Sequence, residues 1–289
     1  MNPLDLVNLT PLMELTSGRP EVVVGLIDGA VLQKHSELAG ASIREISGEL
    51  SGQCVQANST ACVHGTFVAG ILCGKRNSAA PAICPNCTLL VRPIFAEMAL
   101  GGEQMPSATP ADLAAAIIES IDAGAWVLNM SVAIAQPSSQ GELELQEALD
   151  YALQRGVIAV AASENQGTLG SSAITRHPWV IPVVACDPQR RPISYSNLGS
   201  SVGRRGLSAP GNRITSLGTE EQTLTLSGTS VAAPFVTGAI ALLWSEFPTA
   251  TAAEIKLAVT QRNGVRRNTV VPPLLDAWSA YQVMAKSRF

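Results

Sequence analysis

The chain has no long block of charge of either sign. Its 19 Lys and Arg stand against 23 Asp and Glu over 289 residues, for a net of −4, and nothing forms the basic stripe that a phosphate backbone requires. Nucleic acid is therefore not expected as a partner. The sequence also lacks an apolar run of membrane length. The longest strongly apolar stretch, Val231 to Trp244, is broken by Thr237 and Gly238 and falls short of the roughly 20 residues that a bilayer needs. It reads as a buried helix, and no membrane partner is expected. The opening residues MNPLDLVNLTPLMEL carry Asp5 and no basic region ahead of an apolar stretch, so no secretory signal is read and the chain is expected to be cytoplasmic or excised from a longer protein. There is no internal repeat and no break in composition. What remains is 46% hydrophobic, with 24 Gly and 18 Pro, enough chain to bury an extensive core. We read one domain over 1–289, with a closing turn and helix at about 268–285.

Six cysteines stand at 54, 62, 73, 84, 87 and 186, five of them within 34 residues. Three readings are open. A zinc site wants two close ligand pairs, and Cys84-Pro85-Asn86-Cys87 supplies one, because Cys54 and Cys62 are too far apart for a knuckle. No metal site is predicted. Local disulfides fit Cys54 with Cys62, around a loop rich in Ser, Gln and Asn, and Cys73 with Cys84 or Cys87. A cytoplasmic location argues against both. Free buried thiols are the third reading, to which Cys186, in the apolar run Val180 to Cys186, is assigned.

Apolar runs of strand length alternate with amphipathic stretches, the pattern of an α/β fold with a parallel sheet. Strands are predicted at Val22 to Ile27, Thr88 to Pro93, Ala125 to Met130, Val157 to Ala162 and Val180 to Ala185. Crossover helices are predicted at Asp112 to Ala123, after the cap and proline Thr109-Pro110, and at Glu142 to Gln154, before Gly156. The segments Ser47 to Thr60, Met98 to Pro110 and Gln166 to His177 are polar and read as loops.

Three segments join reactive side chains to backbone that exposes them. Val22 to Gly29 is a buried strand delivering Asp28 at its carboxyl end, where open α/β sheets place their sites. An Asp in that place also serves as a turn residue or helix cap. His64 opens a stretch of small residues, His64-Gly65-Thr66-Phe67-Val68-Ala69-Gly70, that permits close helix packing, where a histidine is commonly just a hydrogen-bonded structural residue. Gly228-Thr229-Ser230 opens a long apolar helix and sets the Ser230 hydroxyl at its positive end, which an N-cap serine would do as well.

In the order Asp, His, Ser, these segments resemble the signature of the subtilisin-like serine proteases, and the resemblance runs from Asp28 to Pro234, nearly the whole chain. It implies a subtilisin-like three-layer α/β/α fold with a mainly parallel central sheet. It implies Ser230 as nucleophile, His64 as general base and then acid, and Asp28 as the group that holds the imidazole tautomer and stabilises its cation, with no cofactor. Val157 to Ala162 followed by Ser163-Glu164-Asn165-Gln166-Gly167 matches the family segment that supplies a side-chain amide to the oxyanion, which makes Asn165 the donor. Substrate is implied to lie as an extended strand along Ser131, Val132 and Ala133, with Glu164 on the wall of the pocket for the residue before the scissile bond. His35 and His177 fall outside this pattern.

Several positions depart from the family. Phe67 stands where a second His is common, Ala133-Ile134 where Gly-Gly usually edges the cleft, and Glu164 where a Gly precedes the oxyanion Asn. Cys73 to Cys87 replaces the usual calcium loop without its run of Asn and Gly ligands, so no strong calcium site is expected there. No pro-segment of the length used by secreted members is seen. The segments Val91 to Glu97 and Leu12 to Leu15 resemble the proteases that mature cyanobactins, which implies a ribosomal precursor peptide as partner. A macrocyclising member would need an inserted lid. The 36 residues from Asp28 to His64 hold no helix-hairpin pattern, so hydrolysis is expected. Two other classes remain to be told apart from this one. A silent peptide-binding protein on the same fold is opposed by the intact triad, and an α/β-hydrolase esterase would show G-x-S-x-G and the order Ser, Asp, His, neither of which is present.

Overall fold

The computed structural model describes residues 2–46, 50–97, 108–132, 142–260 and 268–286. Runs of Val, Ile, Leu and Ala too continuous for a one-sided sheet form strands buried on both faces. These are β1 (Val23–Asp28), β2 (Ile43–Glu45), β3 (Thr88–Pro93), β4 (Val127–Met130), β5 (Ile158–Ala162), β6 (Val180–Cys186) and β7 (Leu207–Pro210). They make one sheet in the order β2-β3-β1-β4-β5-β6-β7, parallel at each pairing, with Leu26 opposite Val91 on one side and Asn129 on the other. An antiparallel hairpin, β8 (Ile214–Leu217) with β9 (Thr223–Leu226), lies apart from it.

Helices cover both faces. They are α1 (Pro3–Leu6), α2 (Thr10–Leu15), α3 (Thr60–Cys73), α4 (Pro110–Asp122), α5 (Glu142–Arg155), α6 (Ala173–Arg176), α7 (Ser200–Arg205), α8 (Thr229–Glu246), α9 (Ala252–Thr260) and α10 (Ala277–Lys286). Side chains of a strand alternate between faces, and β1 shows the result. Val24 and Leu26 join the core beneath α3 and α8, while Val23 and Ile27 join the second core beneath α4 and α5. This is the three-layer architecture that the resemblance implied. The predicted strands are each present, shifted by one or two residues at their ends, and α4 starts at Pro110 behind a capping box between Thr109 and Asp112. None of the helices among the described residues is long and apolar enough to cross a membrane.

Two expectations need correction. Cys54 and Cys62 are joined in a disulfide, but Cys73 pairs with neither Cys84 nor Cys87, and all three are free and buried, as is Cys186. The Cys87 sulfur is committed elsewhere: it shares a hydrogen bond with the Cys84 thiol and lies 3.9 Å from Ser245 Oγ. The loop expected over Gln166 to His177 holds α6, whose cap Ser172 accepts from Thr175 N. Most of the 98 to 110 loop, together with Ala133 and Ile134, lies outside the described residues.

Candidate active site

The sheet order sets the position of the site. From β1 the chain goes out to the edge strand β2, comes back to β3 beside β1, then crosses to β4 on the other side, which opens a crevice at the carboxyl end of β1. Asp28 is the last residue of β1 and is fully buried. Its Oδ1 accepts from Gly29 N at 2.6 Å and meets His64 Nδ1 at 2.7 Å.

His64 reaches that carboxylate because α3 packs directly on the exit of β1. A Cβ on Gly65 would lie 2.4 Å from the Ala30 carbonyl oxygen and 2.5 Å from that of Gly29, so any side chain there would push the helix away. Ser59 caps α3 by accepting from Cys62 N at 3.1 Å. The His64 side chain is 8% exposed. Burial disfavours its charge, but the field of Asp28 and the hydrogen bond to it outweigh that penalty and raise its pKa above the ordinary histidine value.

Ser230 comes from the first turn of α8. Its Oγ lies 3.0 Å from His64 Nε2, which completes one hydrogen-bonded line from Asp28 through His64 to Ser230. Gly228, the N-cap, has φ +155°, and a Cβ there would sit 3.4 Å from Asn165 Nδ2 and 3.5 Å from Ser230 Oγ. It would fill the space between the amide and the hydroxyl. Asn165 Oδ1 accepts from Thr229 N at 3.0 Å and from Thr229 Oγ1 at 3.1 Å, so the amide oxygen is pinned and Nδ2 is turned toward that space. First-turn N–H groups of a helix have no intrahelical acceptor, which leaves the Ser230 N–H as a second donor. Such an arrangement can take a proton from a hydroxyl and hold the oxyanion that forms when the hydroxyl adds to a carbonyl.

Beside the oxyanion space, Glu164 is 4% exposed and has φ +73°. Its carbonyl accepts from Asn197 N at 3.0 Å, and its Oε2 accepts from Asn197 Nδ2 at 3.4 Å. Ser131 and Val132 follow β4 and are buried. The Ser131 hydroxyl points inward and donates to the Ser230 carbonyl at 3.1 Å, a contact that the motifs did not suggest. Thr229, as the group that orients Asn165, was also missed. His35 accepts from Glu37 N, and His177 pairs with Asp150 at 3.1 Å, so both lie outside this line of contacts.

Fold and site together define a serine protease of the subtilisin kind. The chain belongs to the subtilase family, whose sequence profile matches residues 19–270. Subtilisin DY of Bacillus licheniformis is 31% identical over 243 residues, 81% of each chain. The thermophilic serine proteinase of Bacillus sp. strain AK1 is 33% identical over 236 residues, 81% of this chain and 54% of that one. Among solved structures, the protease domain of PatA superposes with a TM-score of 0.83 at 28% identity, over 93% of this chain and 97% of that one. The prenylagaramide maturation protease PagA does so with a TM-score of 0.80 at 28% identity, over 95% and 98%. This is the branch that Val91 to Glu97 and Leu12 to Leu15 resemble. The PatG macrocyclase in complex with peptide, at 21% identity and a TM-score of 0.80 over 96% and 95%, shares the fold.

Proposed function

We propose that this chain hydrolyses a peptide bond in a ribosomal precursor peptide, with Asp28, His64 and Ser230 as the catalytic unit and Asn165 as oxyanion donor. The observation that carries the reading is the line of hydrogen bonds Asp28–His64–Ser230, at 2.7 and 3.0 Å, beside an amide already turned toward the reacting space. Substrate backbone lies along Ser131 and Val132 as an added strand. Ser230 Oγ attacks the carbonyl carbon while His64 Nε2 takes its proton. The oxyanion accepts from Asn165 Nδ2 and Ser230 N–H, and His64 then gives the proton to the leaving amine. Water, deprotonated by the same imidazole, releases the acyl group. Hydrolysis is favoured over macrocyclisation because the described residues between β1 and α3 form a 3-10 turn, Ser36–Leu38, and the short β2. A precursor peptide is the favoured substrate because the solved chains of PatA and PagA, which this chain matches over nearly their full extent, are maturation proteases.

Mass spectrometry of a precursor peptide incubated with the protein and with Ser230→Ala tests this. One new pair of linear termini is expected from the unsubstituted protein and none from the variant. Cleavage that survives the substitution overturns the reading, and a product lacking free termini moves it to macrocyclisation. Alanine variants of Asp28, His64 and Ser230 should each lose several orders of magnitude in turnover, and double variants little more than the worst single one, because the three act as a unit. Strictly additive losses would contradict that.

A further inference from the structure

Proline 234 stands four residues after the nucleophile, inside α8. In an α-helix the N–H of residue i+4 donates to the carbonyl of residue i, and proline has no N–H. The carbonyl of Ser230, a half-buried residue at the start of the helix, therefore lacks its helical donor. The Ser131 hydroxyl takes that place at 3.1 Å. Ser131 Oγ in turn accepts from Asn129 Nδ2 at 2.8 Å, and Asn129 Oδ1 accepts from Thr237 Oγ1 at 2.9 Å. Thr237 belongs to the same helix two turns further on and also reaches the Ala233 carbonyl at 3.3 Å. Asn129 and Thr237 are fully buried and Ser131 is 3% exposed. The result is a closed path that leaves α8 at Ser230, crosses β4 and re-enters α8 at Thr237.

We propose that Ser131, held by Asn129 and Thr237, is a positioning residue for the nucleophile. It fixes the Ser230–Val231 peptide plane in place of the helical bond that Pro234 removes, and so restrains the Ser230 Cα from which the hydroxyl and, across the Cα, the N–H of the preceding peptide plane project. This rests on the Asp28–His64–Ser230 reading. The physical logic is a matter of tolerance: a misplacement of about 1 Å can cost on the order of 100-fold in rate, and the first turn of a helix is where backbone is least restrained by its own ladder. Asn129 oriented the other way would offer Ser131 an oxygen, so the Thr237 hydroxyl also decides which face of the amide meets Ser131. Ser131 then has its own proton free to donate to the carbonyl.

The test is the labelling rate of Ser230 by a small organofluorophosphonate, which makes no use of peptide-binding subsites, read together with kcat, KM and thermal midpoint. Ser131→Ala should slow labelling and kcat roughly tenfold with KM changed less than about twofold, as expected for one hydrogen bond of ordinary strength. Thr237→Val should slow both by a smaller factor, and Thr237→Ser should restore them. Pro234→Ala returns an N–H aimed at the Ser230 carbonyl, so in that background Ser131→Ala should have little effect on the labelling rate. Failure of the unsubstituted protein to label at Ser230 overturns the triad and this proposal together. Labelling that is intact and unchanged in Ser131→Ala, with only the thermal midpoint lowered, overturns this proposal alone. So does an equal loss in the presence and absence of Pro234, and a Thr237→Ser variant no faster than Thr237→Val.

Discussion

His64 sits between two opposed influences on its charge. Burial works against the imidazolium, and Asp28 more than compensates. The base form is the active one, so kcat/KM should rise with pH through a midpoint above the ordinary histidine value of about 6.5. In Asp28→Asn the burial penalty stands alone, and the residual activity should fall by roughly 10⁴ with its midpoint moved to lower pH. A midpoint that stays in place would show that Asp28 does not govern the titration. The linkage has the opposite sense for stability. Because the folded pKa is raised, protonated His64 stabilises the fold below the unfolded value, and that contribution is lost as pH climbs through the folded one. A second residue-scale prediction concerns Glu164. A left-handed backbone costs a side-chain-bearing residue roughly 1–2 kcal/mol, and here it is retained beside the oxyanion donor at φ +73°. On the reading that Glu164 walls the first pocket, its buried carboxylate would disfavour apolar partners and favour Lys, Arg or a hydrogen-bonding side chain. Glu164→Gly should shift cleavage of a peptide library toward apolar residues and raise the thermal midpoint, and Glu164→Gln should weaken any preference for basic ones. Unchanged profiles would place Glu164 outside the pocket.

At the scale of elements, the continuous apolar strands and the capped α4 were legible because each rule that marks them is local. The strand β2 was not, because three residues, Ile43–Glu45, at an exposed edge carry no periodicity. In β9 the alternation is weak, since all four residues of Thr223–Leu226 remain at least partly exposed. Motif and order carry the candidate site as far as the residues that the structure brings together: Asp28, His64 and Ser230 in one line of hydrogen bonds, with Asn165 bonded to Thr229 beside them. The inward turn of Ser131 was not read, although Pro234 announces an unpaired carbonyl at 230 and a donor had to come from somewhere. The cysteines divide on the same principle. Cys54 and Cys62 lie on a short polar loop and on the first turn of α3, close in sequence and in space. The partners of Cys73, Cys84 and Cys87 depend on how α3 ends against α8, which spacing does not encode. Burial pushes the Cys73 and Cys186 thiols up to about 12. Denatured, unreduced protein should therefore titrate four thiols, and native protein should react slowly at Cys73 and Cys186. Six in the unreduced sample would remove the Cys54–Cys62 link. Where that link is present, reducing it should lower stability by roughly 2–3 kcal/mol, the scale for a loop of this length.

Across the whole molecule, the question is what ties the amino-terminal arm to the body of the protein. Within the stretch Cys73 to Cys87, Arg76 makes side-chain contacts to the arm. The guanidinium donates to the carbonyls of Met13 at 2.7 Å, Thr16 at 3.1 Å and Ile83 at 2.9 Å. The first two lie in and just beyond the last turn of α2, so one planar fork joins segments 60 and more residues apart. Burial lowers its pKa somewhat, but a guanidinium remains charged throughout the working range. A metal in this role would be removable; an arginine is not. The thermal midpoint should therefore be the same with and without a chelator such as EDTA. Arg76→Met leaves three carbonyls without their donor and should destabilise by roughly 2–3 kcal/mol after allowing for partial exposure, or about 3–5 °C for a chain of this size. Arg76→Lys should recover only part of this, since a compact ammonium on a flexible stem does not present the planar fork that reaches three carbonyls. Thermal unfolding of the three proteins, each with and without chelator, decides the matter. A midpoint that falls with EDTA in the unsubstituted protein would mean that a bound ion shares the work, and Arg76→Met unfolding at the original temperature would mean that the apolar packing of Leu12 and Met13 holds the arm without it.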